Sequence, residues 1–493
     1  MNRVTNSSKI GGNLKTVDDS HSKIRKELLS KMDESGLVKH HLKTMFTSGM
    51  GFFTDAYDLF VIGVVIALLT PIWHLTTYQI AILGSTSLIA AALGAFIFGK
   101  AADVFGRKTI YGIEVIILTV AAIGSAFSQS ILQLIVWRFI LGIGIGGDYP
   151  ISAVIMSEYS NRKDRGKLVS LVFSFQGLGM IAGPIAAVLI LYLGVPHALA
   201  WRILLGLGAL PAASVIYLRR MIKETPHFSL SAAGDPEAAA HAVKDITGTL
   251  IPVKKNGKSF KLKTKVSDLF RYPNNIRLLG TAGSWFLLDW AFYGNSISWP
   301  LVMKSFLPHA TFLQGLMASA AVFVIFAAPF YFVAAFNMDK LGRKTIQTLG
   351  FVGMALAYLV ISLTSWFGFA LAAIPFLFVF GLSYVFTEFG PNTTTFVYPS
   401  EVFPTPLRGF GDGISAGFGK IGAFIGTFLF PFLLAEAKIP GTFAILASIS
   451  ILGAFLTLTC LPEPKNVSLA EVSEENQYLE DSHSTQASFE MVS

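Results

Sequence analysis

The sequence predicts an all-α membrane protein: twelve transmembrane helices in two pseudo-symmetric six-helix bundles, a central cavity and cytoplasmic termini. Three observations lead there. Of the 493 residues, 53% are hydrophobic and only 14% charged, whereas a soluble domain carries about 25% charged residues. Apolar runs recur along the chain, most of them longer than the ~20 residues that cross a hydrocarbon layer. Asp103-Val-Phe-Gly-Arg107-Lys108 returns as Asp339-Lys-Leu-Gly-Arg343-Lys344, in equivalent loops of the two halves.

The elements follow in order. Residues 1–43 form a polar, basic cytoplasmic tail whose amphipathic stretch (Ile24, Leu28, Leu29, Met32) is expected to lie along the membrane surface. It is no cleavable signal peptide, so insertion begins at the first apolar helix. Spans near 44–69, 78–102, 109–128, 131–158, 167–194 and 200–221 make an N-terminal bundle over 44–221. Residues 222–273 are a cytoplasmic linker whose Lys254, Lys255, Lys258, Lys261, Lys263 and Lys265 suit anionic headgroups, with a turn at Asn256-Gly257. Spans near 275–303, 312–337, 345–366, 369–398, 410–435 and 440–461 make a C-terminal bundle over 274–461. The acidic, Ser-rich cytoplasmic tail 462–493 is expected to be disordered.

Basic residues concentrate before the first span and after spans two, four, six and eight, including Arg107, Lys108, Arg162, Arg165, Arg219, Arg220, Arg343 and Lys344. Cytoplasmic loops are rich in Lys and Arg, so both termini are expected inside the cell. The net charge of +8 therefore reflects topology and not nucleic-acid binding. One cysteine, Cys460, excludes an internal disulfide and gives poor ground for a metal; no cofactor is expected.

The seventh span holds the chemistry. In Gly283-Ser-Trp-Phe-Leu-Leu-Asp-Trp-Ala-Phe-Tyr-Gly-Asn295, Trp285, Asp289 and Tyr293 recur every four residues, on one helix face. A charge at a span's centre costs at least ~2.5–3.5 kcal/mol on insertion scales. A sequence that accepts this cost aims the group at a cavity, a substrate or a basic partner. The repeated loops suggest a second device. Asp103, Arg107, Asp339 and Arg343, with Glu158, Arg165, Glu401 and Arg408 at equal separation in the two halves, are read as gating latches. A plain topological anchor is the alternative.

With its loop motifs, spans and linker, the chain resembles the major facilitator superfamily, and within it the phosphate:proton symporters over nearly its whole length. The resemblance rests on Gly51-Phe-Phe-Thr-Asp55-Ala-Tyr-Asp58, Gly146-Gly-Asp148-Tyr149-Pro, Trp285-Phe-Leu-Leu-Asp289 with Tyr293, Gly390-Pro-Asn392-Thr-Thr-Thr and Gly419-Lys420. It implies a phosphate site at Tyr149, Gln176, Trp285, Asp289, Tyr293, Asn392 and Lys420. It implies proton handling at Asp55 or Asp58 and at Asp148. Hydroxyl, amide, indole and ammonium donors suit an oxyanion. Asp289 is compatible with that anion when protonated or offset by Lys420, which links proton to cargo.

Around this site, Arg138 is expected to face Asp58, and Asp148 to relay between that pair and the pocket. Glu388 departs from the family's amide at its position; it either pairs with a cation such as Lys420 or adds a proton site. The function expected is import of inorganic phosphate with protons, by a monomer in the plasma membrane. Alternatives are a proton-coupled carrier of a glycerophosphodiester or other organic anion, and a phosphate-sensing receptor. Carboxylates alone do not separate protons from sodium. No enzyme motif is present in a suitable setting.

Overall fold

A backbone in hydrocarbon must satisfy its own hydrogen bonds, so long apolar runs resolve as helices. The computed structural model describes residues 23–253, 262, 264–299, 302–303, 309–367, 373–475 and 478. Its helices are α1 (23–33), α2 (Lys39–Trp73), α3 (Thr77–Phe105), α4 (Arg107–Ala126), α5 (Ile131–Tyr159), α6 (Arg165–Tyr192) and α7 (His197–Arg220). There follow α8 (Pro236–Thr247), α9 (Asn274–Ile297), α10 (Phe312–Leu341), α11 (Arg343–Trp366), α12 (Ile374–Val402), α13 (Thr405–Glu436), α14 (Lys438–Cys460) and α15 (Leu469–Val472). Among the described residues, eleven helices are long and apolar enough to cross a membrane. The 24-residue α9 has the length but not the apolarity, because Asn274, Asn275, Arg277, Asp289 and Asn295 interrupt it.

Without water to drive helices together, close packing needs small residues at the contact. A Cβ on Gly422 or Gly426 of α13 would strike the carbonyls of Phe286 or Trp290 in α9. Gly99 of α3 and Gly413 of α13 lie backbone against backbone in the same way, joining the two halves.

One face is closed by ion pairs. Gly106 and Gly342 sit at φ +95° and +93°, the left-handed region that favours glycine, and turn the chain sharply after α3 and α10. Asp103 then accepts from the backbone N–H of Gly409 and Phe410 (3.0 and 2.8 Å), at the start of α13. Asp339 accepts from Gly166 and Lys167 (3.1 and 2.8 Å), at the start of α6. Glu158 pairs with Arg107 and Arg408 at 3.1 and 3.0 Å. Glu401 pairs with Arg165 and Arg343, both at 2.8 Å. Glu224 and Glu463 receive the N–H groups opening α4 and α11. Seven of the eight residues read as latches thus bond across the halves, and Arg343 pairs within its own, with Asp339 and Glu401.

Two expectations change. The apolar side of α1 is buried in protein and not spread on a surface: Leu28 and Met32 pack with Ala239, Val243 and Ile246 of α8. An amphipathic helix settles on whatever apolar face is nearest, and α8, inside the expected linker, supplies one. The tail is not disordered throughout. Residues 463–475 pack on the latch, where Glu475 accepts from Thr405 N–H (3.0 Å) and pairs with Arg25 (2.9 Å). Lys254, Lys255, Asn256, Gly257, Lys258, Lys261 and Lys263 lie outside the described residues.

Breaking a buried pair by removing one partner costs about 3–5 kcal/mol. Glu401→Gln should therefore loosen the closed face. In a Phe396→Cys, Cys460→Ser background, maleimide labelling at 396 is expected to rise several-fold, and unchanged labelling would count against a latch. His227, just after α7, is buried with neither ring nitrogen bonded. Burial, then the charges of Arg408, Arg25, Arg165 and Arg107, push its pKa well below 6.5. The unfolded segment binds a proton that the folded one refuses, so the histidine's contribution is intact above pH 6.5 and is lost as pH falls below it. The loss reaches about 1.4 kcal/mol per pH unit. Hydrogen exchange over residues 225–233, corrected for intrinsic rates, should quicken below pH 6.5 in the wild type and not in His227→Gln.

Candidate functional site

Four-residue spacing on α9 stacks Trp285, Asp289 and Tyr293 toward α13 and the opposite half. Asp289 Oδ2 accepts from Lys420 Nζ at 3.0 Å, and the same ammonium donates to the Tyr293 hydroxyl at 3.1 Å. It also lies 4.3 Å from the ring centroid of Tyr149 on α5 and 4.5 Å from that of Tyr293. Ring faces attract a cation, the more so when it is desolvated. Gly419 makes room for Trp285: a Cβ there would come within 2.5 Å of the indole Cδ1. The Trp285 ring sits 5.9 Å from that of Tyr149, and Tyr293 stacks on Phe60 of α2 at 5.7 Å. Asp289 Oδ1 has no hydrogen-bond partner. The aspartate thus faces the seam between the halves and not lipid, held by a lysine.

The other two expected cargo residues form an adjoining cluster. Asn392 Nδ2 donates to the Tyr331 hydroxyl of α10 (2.7 Å) and to Glu388 Oε2 (2.5 Å). Gln176 of α6 is buried near them with neither amide atom in hydrogen-bonding geometry. Tyr331 reaches inward just after a π-helical turn at Phe323–Ala327 and Pro329, which together reset the register of α10. α12 breaks at Gly390, the residue before Pro391, where the chain lies against Gly350 of α11 and a side chain would not fit. Glu388 and Asn392 still share a face across that break. The cation expected for Glu388 is absent among the described residues, Lys420 being engaged by Asp289.

The expected proton path is arranged differently from its sequence reading. Asp148 takes a two-pronged ion pair from Arg219 of α7 (2.8 and 2.7 Å), which also bonds Glu114 of α4 at 2.6 Å. It is therefore engaged, not free beside Tyr149. Gly51 is what admits the pair: a Cβ there would overlap Arg219 and Asp148. Asp58 and Arg138 do not come within ion-pairing distance. Arg138 donates to Ser87 at 3.0 Å instead, and neither Asp58 oxygen is bonded. Asp55 is buried with both oxygens unbonded, amid the charges of Asp148, Arg219, Asp58 and Lys420.

Toward the latch, Phe52, Phe173 and Phe396 fill the seam, with Phe173 stacked on Phe396 at 4.6 Å. Toward the opposite face, a largely apolar cavity of about 480 Å³ begins one turn beyond Tyr293, at Ile297, and includes Gly63, Ile66 and Thr427. Sequence reasoning missed Arg219, Glu114, Tyr331 and Asp412. Glu114 was legible as an acid within the third expected span, which demands a basic partner. Asp412, one turn past Arg408 and near the start of the expected span 410–435, was legible in the same way; it is buried with neither oxygen bonded.

Residues 40–475 match the family of sugar (and other) transporters. The chain belongs to that family. The transporter is 33% identical to a probable inorganic phosphate transporter 1-6 of Arabidopsis thaliana, over 91% of this chain and 96% of the relative. A low affinity inorganic phosphate transporter 3 of Petunia hybrida is 32% identical over 93% and 97%. Among solved structures, the proton:xylose symporter XylE bound to 6-bromo-6-deoxy-D-glucose shares 20% identity, with a TM-score of 0.71 over 88% of this chain and 98% of that one. The fold is therefore that of the major facilitator superfamily, and the transporter is not an enzyme.

A lone buried carboxylate is far costlier than a buried pair or a neutral couple. Lys420→Met is expected to destabilise the transporter by about 3–5 kcal/mol, and adding Asp289→Asn to restore most of it. Unfolding in detergent tests this; a double variant no more stable than the single one contradicts the pairing.

Proposed function

We propose that the protein imports inorganic phosphate together with protons by alternating access. It does so as a monomer of twelve spans, α9 being the seventh, in the plasma membrane with both termini in the cytoplasm. One observation carries this reading: a lysine ammonium set against the rings of Tyr149 and Tyr293 is held at the seam by a carboxylate that a proton can neutralise. The phosphate transporters named above, similar over nearly the whole chain, support the cargo.

The charges give the coupling. An arriving phosphate draws Lys420 away from Asp289. Left ionised ~4 Å from the anion, that carboxylate is repelled by about 4 kcal/mol at an effective dielectric of ~20. A proton removes the repulsion and makes Asp289 a donor to phosphate. Proton and phosphate then strengthen one another's binding, as linkage requires. Tyr149, Trp285 and Tyr293 donate from the same wall, with Gln176 and Asn392 from the adjoining cluster. Asp55, unbonded beside the Asp148–Arg219 pair, is the stronger candidate of the two aspartates on α2 for passing the proton on. Parting of the latches around Glu158 and Glu401 would release cargo to the cytoplasm, as halves rock about a fixed site.

Uptake by purified protein in liposomes tests the reading. Labelled phosphate should accumulate only with an alkaline interior, collapse with a proton ionophore, and resist excess glycerophosphodiester or sugar. Asp289→Asn should abolish the gradient's effect and bind phosphate with a weaker pH dependence than the wild type. Uptake indifferent to the gradient, or competed by a sugar, would sink it.

A further inference from the structure

Parting the latches strands two arginines. The carboxylates at their centre keep a partner within their own half, Glu158 with Arg107 and Glu401 with Arg343. The arginines that cross between halves do not: Arg408 reaches over to Glu158, and Arg165 to Glu401. A charge that loses its partner in a poorly hydrated setting is strongly destabilising.

Asp412 stands one turn beyond Arg408 on α13. It is fully buried, and neither oxygen is bonded among the described residues. Side chains four residues apart on a helix can reach one another. Arg408 is instead turned to Glu158 and to the Phe403 carbonyl, with its Nη2 unbonded. The other charges nearby offer Asp412 no partner. Asp103 of α3 is itself an acid, already taken by Arg107 and the N–H groups of Gly409 and Phe410. Glu158 of α5 and the neutral His227 lie against Arg408, and Glu475 near them is held by Arg25 and the Thr405 N–H. From α9 and α12, the cluster around the neighbouring Ile414 brings apolar side chains and Tyr398. An acid buried without a cation takes up a proton.

We propose that Asp412 is the partner to which Arg408 turns when the latched face opens. While the face is closed, the carboxyl keeps its proton and Arg408 serves Glu158. On opening, Glu158 withdraws with its own half, the Asp412 O–H gives its proton to cytoplasmic water, and the carboxylate receives the guanidinium. The proton returns from the same side at each closing, so none is carried across the membrane. Asp412 is thus a positioning residue that makes opening easier in an alkaline cytoplasm and closure easier in an acid one. The other crossing arginine has a similar provision. Asp33, half-buried at the end of α1, feels the charge of Arg165, and burial lifts its carboxyl to about 6 against the pull of Arg165 and Arg162. The proposal rests on the alternating-access reading above.

Maleimide labelling at position 396, in the Phe396→Cys, Cys460→Ser background, reads opening of this face. Protein in detergent without phosphate is compared with its Asp412→Asn form at pH 7 and pH 8, above the range in which His227 titrates. Titration of the thiol and of the remaining acids is common to both proteins and cancels in the ratio of their labelling rates. That ratio, wild type over variant, is expected to exceed one and to rise toward about tenfold between the two pH values while the open form is the minority. Asp412→Glu, which keeps the acid, should follow the wild type. In an Arg408→Gln background the ratio should shrink by about twofold or more, because the carboxylate then meets no cation on opening. A ratio that does not change with pH, or that Arg408→Gln leaves as it was, overturns the proposal. Should the asparagine variant fail to fold, Asp412→Ser takes its place in the same comparison. If Glu401→Gln does not speed labelling, the face does not open and the alternating-access reading falls with the proposal; a face that opens with a flat ratio sinks the proposal alone.

Discussion

A charge buried in a low-dielectric interior must find an opposite charge or give up its ionisation, and this constraint sorts the acids of the protein into two groups. Glu158, Glu401, Asp148 and Glu114 each meet one or two guanidinium groups at ion-pair distance. Asp55, Asp58, Glu388 and Asp412 meet none among the described residues. The first group holds helices together. The second has no compensating cation, and Asp289, shared with a lysine and with one oxygen unbonded, stands between the two.

The ion pairs and the aromatic layer lie at the same face. Phe52, Phe173 and Phe396 exclude water between latch and site, and the Lys420–Asp289 pair above them keeps its strength because the local dielectric stays low. On the opposite side the cavity reaches within a turn of Tyr293. The site is thus sealed thickly on one side and thinly on the other.

Segments outside the spans take part in the closure. Arg25 of α1 and Glu475 beyond α15 pair across the latch, and Glu475 also receives the N–H that opens α13. Residues far apart in sequence therefore bear on one interface.

Much was legible in the residues. Length and apolarity set the helices to within a few positions, the repeated Asp-x-x-Gly-Arg-Lys loops marked the ion-paired turns, and four-residue spacing set Trp285, Asp289 and Tyr293 on one face. These follow from local chemistry: helical period, the cost of polar backbone in hydrocarbon, and glycine's access to positive φ. Partnership was not legible. Whether Lys420 served Asp289 or Glu388, whether Asp58 reached Arg138, and that Arg219 crosses to Asp148 were decided by helix packing. An ion pair depends on distances of a few ångströms between helices remote in sequence, and shifts as small as the space left by Gly51 or Gly419 settle them.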